Sequence, residues 1–345
     1  MKFHTKRTSA FAALLLSSTL ALTACGGSDD TAGEGGESDG ETSITMLPKN
    51  LGNPYFDTST AGAERAVEEI GASMEEVGPQ EATPDAQVQY INTAAQQGVG
   101  ALIVSANDPT AICDALNEAR DAGTAIVTFD SDTDPECRDL FINQATPEGI
   151  AAVQLELIAE QIGGSGEIAI LSASANATNQ NAWIAMMEEE LASNADYADI
   201  ELVDTVYGDD DDQKSFDETA ALLQAHPDLK GIISPTTVGI AAAARYLSDS
   251  DKKGDVMLTG LGTPNQMREY VENGTVEAFA LWNPGDLGYL AAFAADALAS
   301  GEIEGEPGDT FEAGDLGEYT VEEDNSVLLG DPFVFNADNI ADFDF

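Results

Sequence analysis

The chain has 345 residues, 43% of them hydrophobic, yet it carries 13 Lys and Arg against 63 Asp and Glu, a formal net charge of -50. A surface this negative repels phosphate backbones and anionic headgroups, which excludes binding to nucleic acid or lipid through a basic patch. Small neutral or cationic ligands stay compatible, and each scarce cation is informative: Lys49 is the only one between Arg7 and Arg65.

In chain order, Lys2, Lys6 and Arg7 precede a short apolar run from Phe11 to Leu22 and the small-residue stretch "LTAC" ending at Cys25. This is the layout of an export leader, with an apolar run too short for an ordinary spanning helix. "LTAC" resembles a bacterial lipobox, which implies cleavage after residue 24 and a lipid on the sulfur of Cys25. The next stretch, "GGSDDTAGEGGESDGE", has almost no apolar residues and reads as a flexible tether over residues 25–42.

From Ser43 onward, strand-length apolar runs alternate with segments of helical period. "SITML", "ALIVS", "AIVTF", "EIAIL", "GIIS", "VMLTG" and "EAFAL" read as strands buried on both faces of a parallel sheet. "TSTAGAERAVEEIG", "ATPDAQVQYINTAAQQG" and "DPTAICDALNEARDAG" between them read as helices ending near a glycine. The alternation predicts an α/β, doubly wound architecture, and its length predicts two lobes. No charged or Pro-rich linker divides them, so the chain is expected to cross between lobes more than once.

Ligands of open α/β sheets sit just beyond the carboxyl ends of the strands. The residues there give the candidate site: Lys49, Asn53, Tyr55 and Phe56; Asp130 and Asp132; Asn179 and Gln180; Pro235 and Thr237; Trp282 and Asn283. Carboxylates and amides engage neighbouring sugar hydroxyls, while aromatic surface covers the C–H side of the ring. Lys49 has two candidate jobs, donating to a sugar hydroxyl or neutralising Asp130. The four aspartates in "YGDDDDQ" lack the alternate spacing and glycine of a calcium loop and read as helix capping plus solvated charge. "GGSGE" precedes a strand and lacks the Gly-Lys-Ser/Thr of a phosphate loop. With His226 set just before Pro227, no Ser-His-Asp set can form. No metal or cofactor is expected. Export makes a Cys113–Cys137 disulfide plausible.

"ITMLPKNLGNPYF", "VTFDSDTDPECR", "FINQATP", "TNQNAW", "GLGTPNQMREYVENGTVEAFALW" and "FNADNIADFDF" together resemble the type 1 periplasmic-binding-protein family of sugar ABC transporters, and within it the rhamnose-binding lipoproteins and autoinducer-2 receptors. The resemblance implies an extracytoplasmic, lipid-anchored, monomeric receptor that performs no chemistry and hands a sugar to an ABC permease. It implies two doubly wound parallel-sheet lobes joined by a three-crossover hinge near Gln144, Trp282 and Glu312. Lobe 1 is then 43–144 plus 284–312, and lobe 2 is 145–283 plus 313–345. Lys49, Asp130, Gln180, Pro235 and Thr237 occupy positions like those that hold autoinducer-2. Autoinducer-2 receptors read Asp-Gln where this chain reads Asn179-Gln180, so the resemblance favours a deoxysugar, rhamnose first.

Overall fold

The computed structural model of the chain describes residues 41–345; the leader, Cys25 and most of the tether expected from the sequence lie outside the described residues. In chain order the elements are β1 (Ser43–Leu47), α1 (Pro54–Ile70), β2 (Ser73–Glu76), α2 (Pro84–Gln97), β3 (Ala101–Val104), α3 (Cys113–Asp121), β4 (Ala125–Phe129) and β5 (Leu140–Asn143). Then follow α4 (Pro147–Gln161), β6 (Gly166–Ser172), α5 (Thr178–Ser193), β7 (Ile200–Tyr207), α6 (Asp212–Ala225), β8 (Leu229–Ser234), α7 (Thr237–Asp249), β9 (Met257–Gly260), α8 (Pro264–Glu272) and β10 (Ala278–Leu281). The chain ends with α9 (Pro284–Ser300), β11 (Thr310–Glu312), β12 (Glu318–Thr320), β13 (Ser326–Leu328) and β14 (Phe333–Asn336). Pro54, Pro84, Pro147, Pro264 and Pro284 each open a helix, where the missing N–H costs nothing and the fixed φ suits the first turn.

The first sheet runs β13-β5-β4-β3-β1-β2, all neighbours parallel. Its strands bury both faces by alternation: Ile103, Val127 and Phe129 pack into one hydrophobic cluster, while Leu102, Val104 and Ile126 pack into another with Ile91 and Leu116 of α2 and α3. Both faces are thus helix-covered, with α1 and α9 on the side opposite α2 and α3. The second sheet runs β7-β6-β8-β9, parallel throughout. It is extended past β9 by a bridge from Leu261 to Ala280 of β10, which pairs antiparallel with β14.

The chain passes from the first sheet to the second after Asn143, returns after Leu281, and α9 then packs on β3 and β4. The third passage departs from the sequence expectation. β11 and β12 form a hairpin beside α9, and β13 joins the first sheet next to β5, Val327 opposite Ile142. Residues 313–328 therefore belong with the first lobe, and the crossing falls between Leu328 and Phe333 rather than near Glu312. Three-residue strands carry too little pattern to announce their sheet. Cys113 and Cys137 are disulfide-bonded, tying the start of α3 to the loop after β4.

Candidate functional site

Two helices in close contact assemble the aromatic wall of the site. Asn53 caps α1, its side-chain oxygen accepting from the Tyr55 N–H at 3.1 Å. α1 and α9 approach glycine against backbone: a Cβ on Gly62 would stand 1.8 Å from the Gly285 oxygen, and one on Gly288 1.9 Å from the Ser59 oxygen. Any larger residue would force these helices apart. Their contact carries Tyr55 to the hinge, where Trp282 Nε1 donates to its hydroxyl at 2.8 Å. Edge-on ring contacts continue on both sides, Phe129 to Phe56 at 6.1 Å, Phe56 to Tyr55 at 5.1 Å, Tyr55 to Trp282 at 6.1 Å and Trp282 to Trp183 at 6.2 Å. Five rings thus connect β4 of the first lobe to α5 of the second. Burial, and then the nearby Asp130 carboxylate, push the Tyr55 hydroxyl well above its ordinary pKa and keep it neutral.

The polar part is built around one cation. Lys49 follows β1 and is only 5% exposed. Its Nζ lies 3.6 Å from Asp130 Oδ2 and donates to Asn179 Oδ1 at 3.3 Å. Asp130 directly follows β4 at φ 60°, a left-handed conformation rare for a non-glycine residue. Ser105 Oγ donates to its Oδ2 at 2.8 Å. Asn179, from the opposite lobe, returns the contact: its Nδ2 donates to the Asp130 backbone oxygen at 3.3 Å. Gln180 Oε1 accepts from Ser172 Oγ and from the Ala173 N–H, both at 2.8 Å, which leaves its NH2 as the donating end of the amide. Asp210 is half-buried as a residue, but its carboxyl head turns inward, where Thr236 Oγ1 donates to Oδ1. Burial raises that carboxyl, against the pull of Thr236 and Lys49.

These groups line one cavity between the lobes, mostly apolar and aromatic surface with a few convergent polar groups, the make-up of a small-molecule site. Of the residues expected from the sequence, Lys49, Asn53, Tyr55, Phe56, Asp130, Asn179, Gln180, Pro235, Thr237 and Trp282 come together on this cavity. Asp132 and Asn283 do not. Asp132 is held by Arg138 Nε at 2.8 Å and by the Thr128 hydroxyl, and Arg138 in turn donates to the Asn325 carbonyl at 2.9 Å. Its job is to brace the loop after β4 against the segment before β13. Asn283 caps α9, accepting from the Gly285 N–H at 2.9 Å.

Trp183, Asp210, Thr236, Leu261 and Leu281 also line the cavity; Asp210 and Thr236 stand at strand ends, where ligand residues are expected, and only Trp183, Leu261 and Leu281 were not expected from the sequence. Trp183 lies three residues past Gln180, on the same helix face, and that spacing was the available signal. Asp210 follows β7 and obeys the strand-end rule, but a run of four aspartates masks it; Asp211 beside it is the cap of α6. Among the described residues, no group of three His, Cys, Asp or Glu is placed to hold a metal ion. None of the described helices is long and apolar enough to cross a membrane.

A family model described as a periplasmic binding protein domain matches residues 44–303. The chain is similar to a solved sugar ABC transporter protein from Actinomyces odontolyticus ATCC 17982, 58% identical, covering 88% of this chain and 98% of that one, with a TM-score of 0.72. It is also similar to an ABC transporter solute binding protein from Clostridium phytofermentas with bound L-rhamnose, 38% identical over 88% and 98% of the two chains, TM-score 0.85. LsrB from Clostridium saccharobutylicum in complex with AI-2 is 27% identical over 88% of this chain and 100% of that one, TM-score 0.84.

Proposed function

The chain belongs to the periplasmic binding protein family, and from that premise we propose that it delivers a deoxysugar, L-rhamnose first, to an importer. It is an extracytoplasmic, non-enzymatic sugar-binding component of an ABC transporter, with a monosaccharide as ligand and a permease as partner. Cys25 carries the lipid that anchors it, and a single copy suffices for capture. One lobe takes up the sugar, the hinge closes, and the ligand favours closure by its tighter fit to the closed form.

The observation that carries the ligand reading is the double contact of Asn179. Its oxygen accepts from Lys49 and its nitrogen donates to the Asp130 carbonyl. A carboxylate at this position could accept but not donate, so the amide sets this chain apart from the Asp-Gln pattern of autoinducer-2 receptors, and the 38% identity to the L-rhamnose-bound relative favours the deoxysugar. The likeness to LsrB keeps autoinducer-2 as the second reading.

A thermal-shift panel of L-rhamnose, autoinducer-2, D-ribose, D-arabinose and D-glucose tests this. Ligand at about a thousand times its Kd adds about 4 kcal/mol to stability, worth several degrees in a protein of this size. L-rhamnose is expected to give the largest shift. A shift with autoinducer-2 and none with L-rhamnose would replace the first reading by the second.

A further inference from the structure

The second lobe's share of the cavity is graded in polarity along its sheet. In the order β7, β6, β8, β9, with β10 beyond, the cavity residues at the carboxyl ends run from Asp210, through Asn179 and Gln180 of α5, to Thr236 and Thr237, then Leu261, then Leu281. One end offers a carboxylate, amides and hydroxyls. The other end offers carbon.

Leu261 and Leu281 are 2% and 1% exposed, and they line the cavity together with the Trp183–Trp282 ring pair. Three N–H donors at that end are already engaged. Trp282 Nε1 donates to Tyr55, the Leu261 N–H donates to the Ser234 carbonyl at 2.9 Å, and the Gly262 N–H donates to the Ala280 carbonyl at 3.1 Å. A ligand hydroxyl placed there would lose its hydration and meet leucine side chains and donors already engaged, whereas a methyl group would gain contact.

We infer that Trp183, Leu261, Leu281 and Trp282 form a methyl subsite, which takes the unhydroxylated C6 of a 6-deoxyhexose and disfavours the parent sugar carrying a C6 hydroxyl. This rests on the monosaccharide-binding reading above and deepens it by naming what sets the ligand class. The polyol face of the ring then lies toward Asp210, the Asn179–Gln180 pair and the Lys49–Asp130 pair. Apolar pockets reject an added hydroxyl by up to about 100-fold, and that sets the scale of the expected discrimination.

The test is calorimetric titration with two sugar pairs that differ only at C6, L-rhamnose with L-mannose and L-fucose with L-galactose, and with D-ribose as a sugar that lacks C6. Within whichever pair binds, the deoxy member is expected to be tighter by about 10- to 100-fold. Leu281→Thr, which adds a hydroxyl to the corner, is expected to narrow that ratio rather than weaken both members equally; Leu261→Ser is the second variant, and the wild-type ratio reads without either. Equal affinity within a pair, or an unchanged ratio in a folded variant, overturns the subsite and leaves sugar binding intact. Binding of D-ribose with no binding of either pair overturns the subsite and the deoxysugar reading together. No binding of any of the five sugars overturns the deoxysugar reading together with the subsite.

Discussion

Lys49 of the first lobe donates to Asn179 of the second, Nζ to Oδ1 at 3.3 Å, across the cleft. The same ammonium stands 3.6 Å from the buried Asp130 carboxylate, so one cation ties an amide and a carboxylate from opposite lobes. Both candidate jobs of this lysine are open to it, since neither contact uses all three of its donors.

Replacing it separates those jobs. Lys49→Met leaves Asp130 buried without its counter-charge and is expected to lower the stability of the ligand-free protein by about 2 kcal/mol as well as to weaken sugar binding. Adding Asp130→Asn to the same chain should recover most of the lost stability but none of the affinity. Chemical denaturation of the single and double variants reads the first effect, and titration the second. Unchanged ligand-free stability in Lys49→Met would mean that the lysine serves the ligand alone.

Asp210 gives the site a pH dependence of predictable sign. Its carboxyl is raised by burial, so folding favours the protonated form. The resulting contribution to stability is fully present below the unfolded pKa, about 3.9, and is lost as the pH climbs through the higher folded value. Asp210→Asn is neutral at every pH and escapes that loss. The melting temperature of the variant minus that of the wild type should therefore grow as the pH rises above the ordinary carboxylate range, then level off. A difference that is flat from pH 3 to 8 would contradict the assignment.

Asp132, expected from the sequence to contact ligand, is bound instead to Arg138. Asp132→Ala should destabilise the protein by about 2 kcal/mol, because it leaves a buried guanidinium without its carboxylate, and should leave the Kd for sugar within about twofold, since a stability change remote from the ligand need not alter binding. A large loss of affinity at preserved stability would return Asp132 to the site.

The contrast between Asp130 and Asp132 shows how far the sequence was legible. Strands such as Ser43–Leu47 and Ala125–Phe129 are continuous apolar runs, so their positions, and the rule that ligands lie beyond their carboxyl ends, place Lys49 and Asp130 directly. Two residues further on, the same rule has no force, and only the fold reveals that Arg138 waits beside Asp132. β13 was hidden for a related reason: Ser326–Leu328 is three residues long, and its place beside β5 is decided by pairing with distant chain. Asp210 was legible by position but obscured by composition. What separates it from its acidic neighbours is the hydroxyl of Thr236, which is 26 residues away in sequence.

The Cys113–Cys137 disulfide joins residues 24 apart. On the chain-entropy account, a loop of this size stabilises by about 3 kcal/mol. The double variant Cys113→Ser, Cys137→Ser should melt several degrees lower, with sugar affinity unchanged, because neither cysteine lines the cavity. Equal melting of oxidised and serine forms would show that the bond adds nothing to the folded state.

If L-rhamnose binds between the lobes on the Lys49–Asp130–Asn179 cluster, its affinity depends on the Asp130 carboxylate. Isothermal titration of L-rhamnose into the wild-type protein and into Asp130→Ala tests it most directly. One sugar per chain is expected in the wild type, and a loss of about 10- to 100-fold in the variant, the scale for removing a charged hydrogen-bonding partner. No heat with the wild type, or equal affinity in the two proteins, would contradict it.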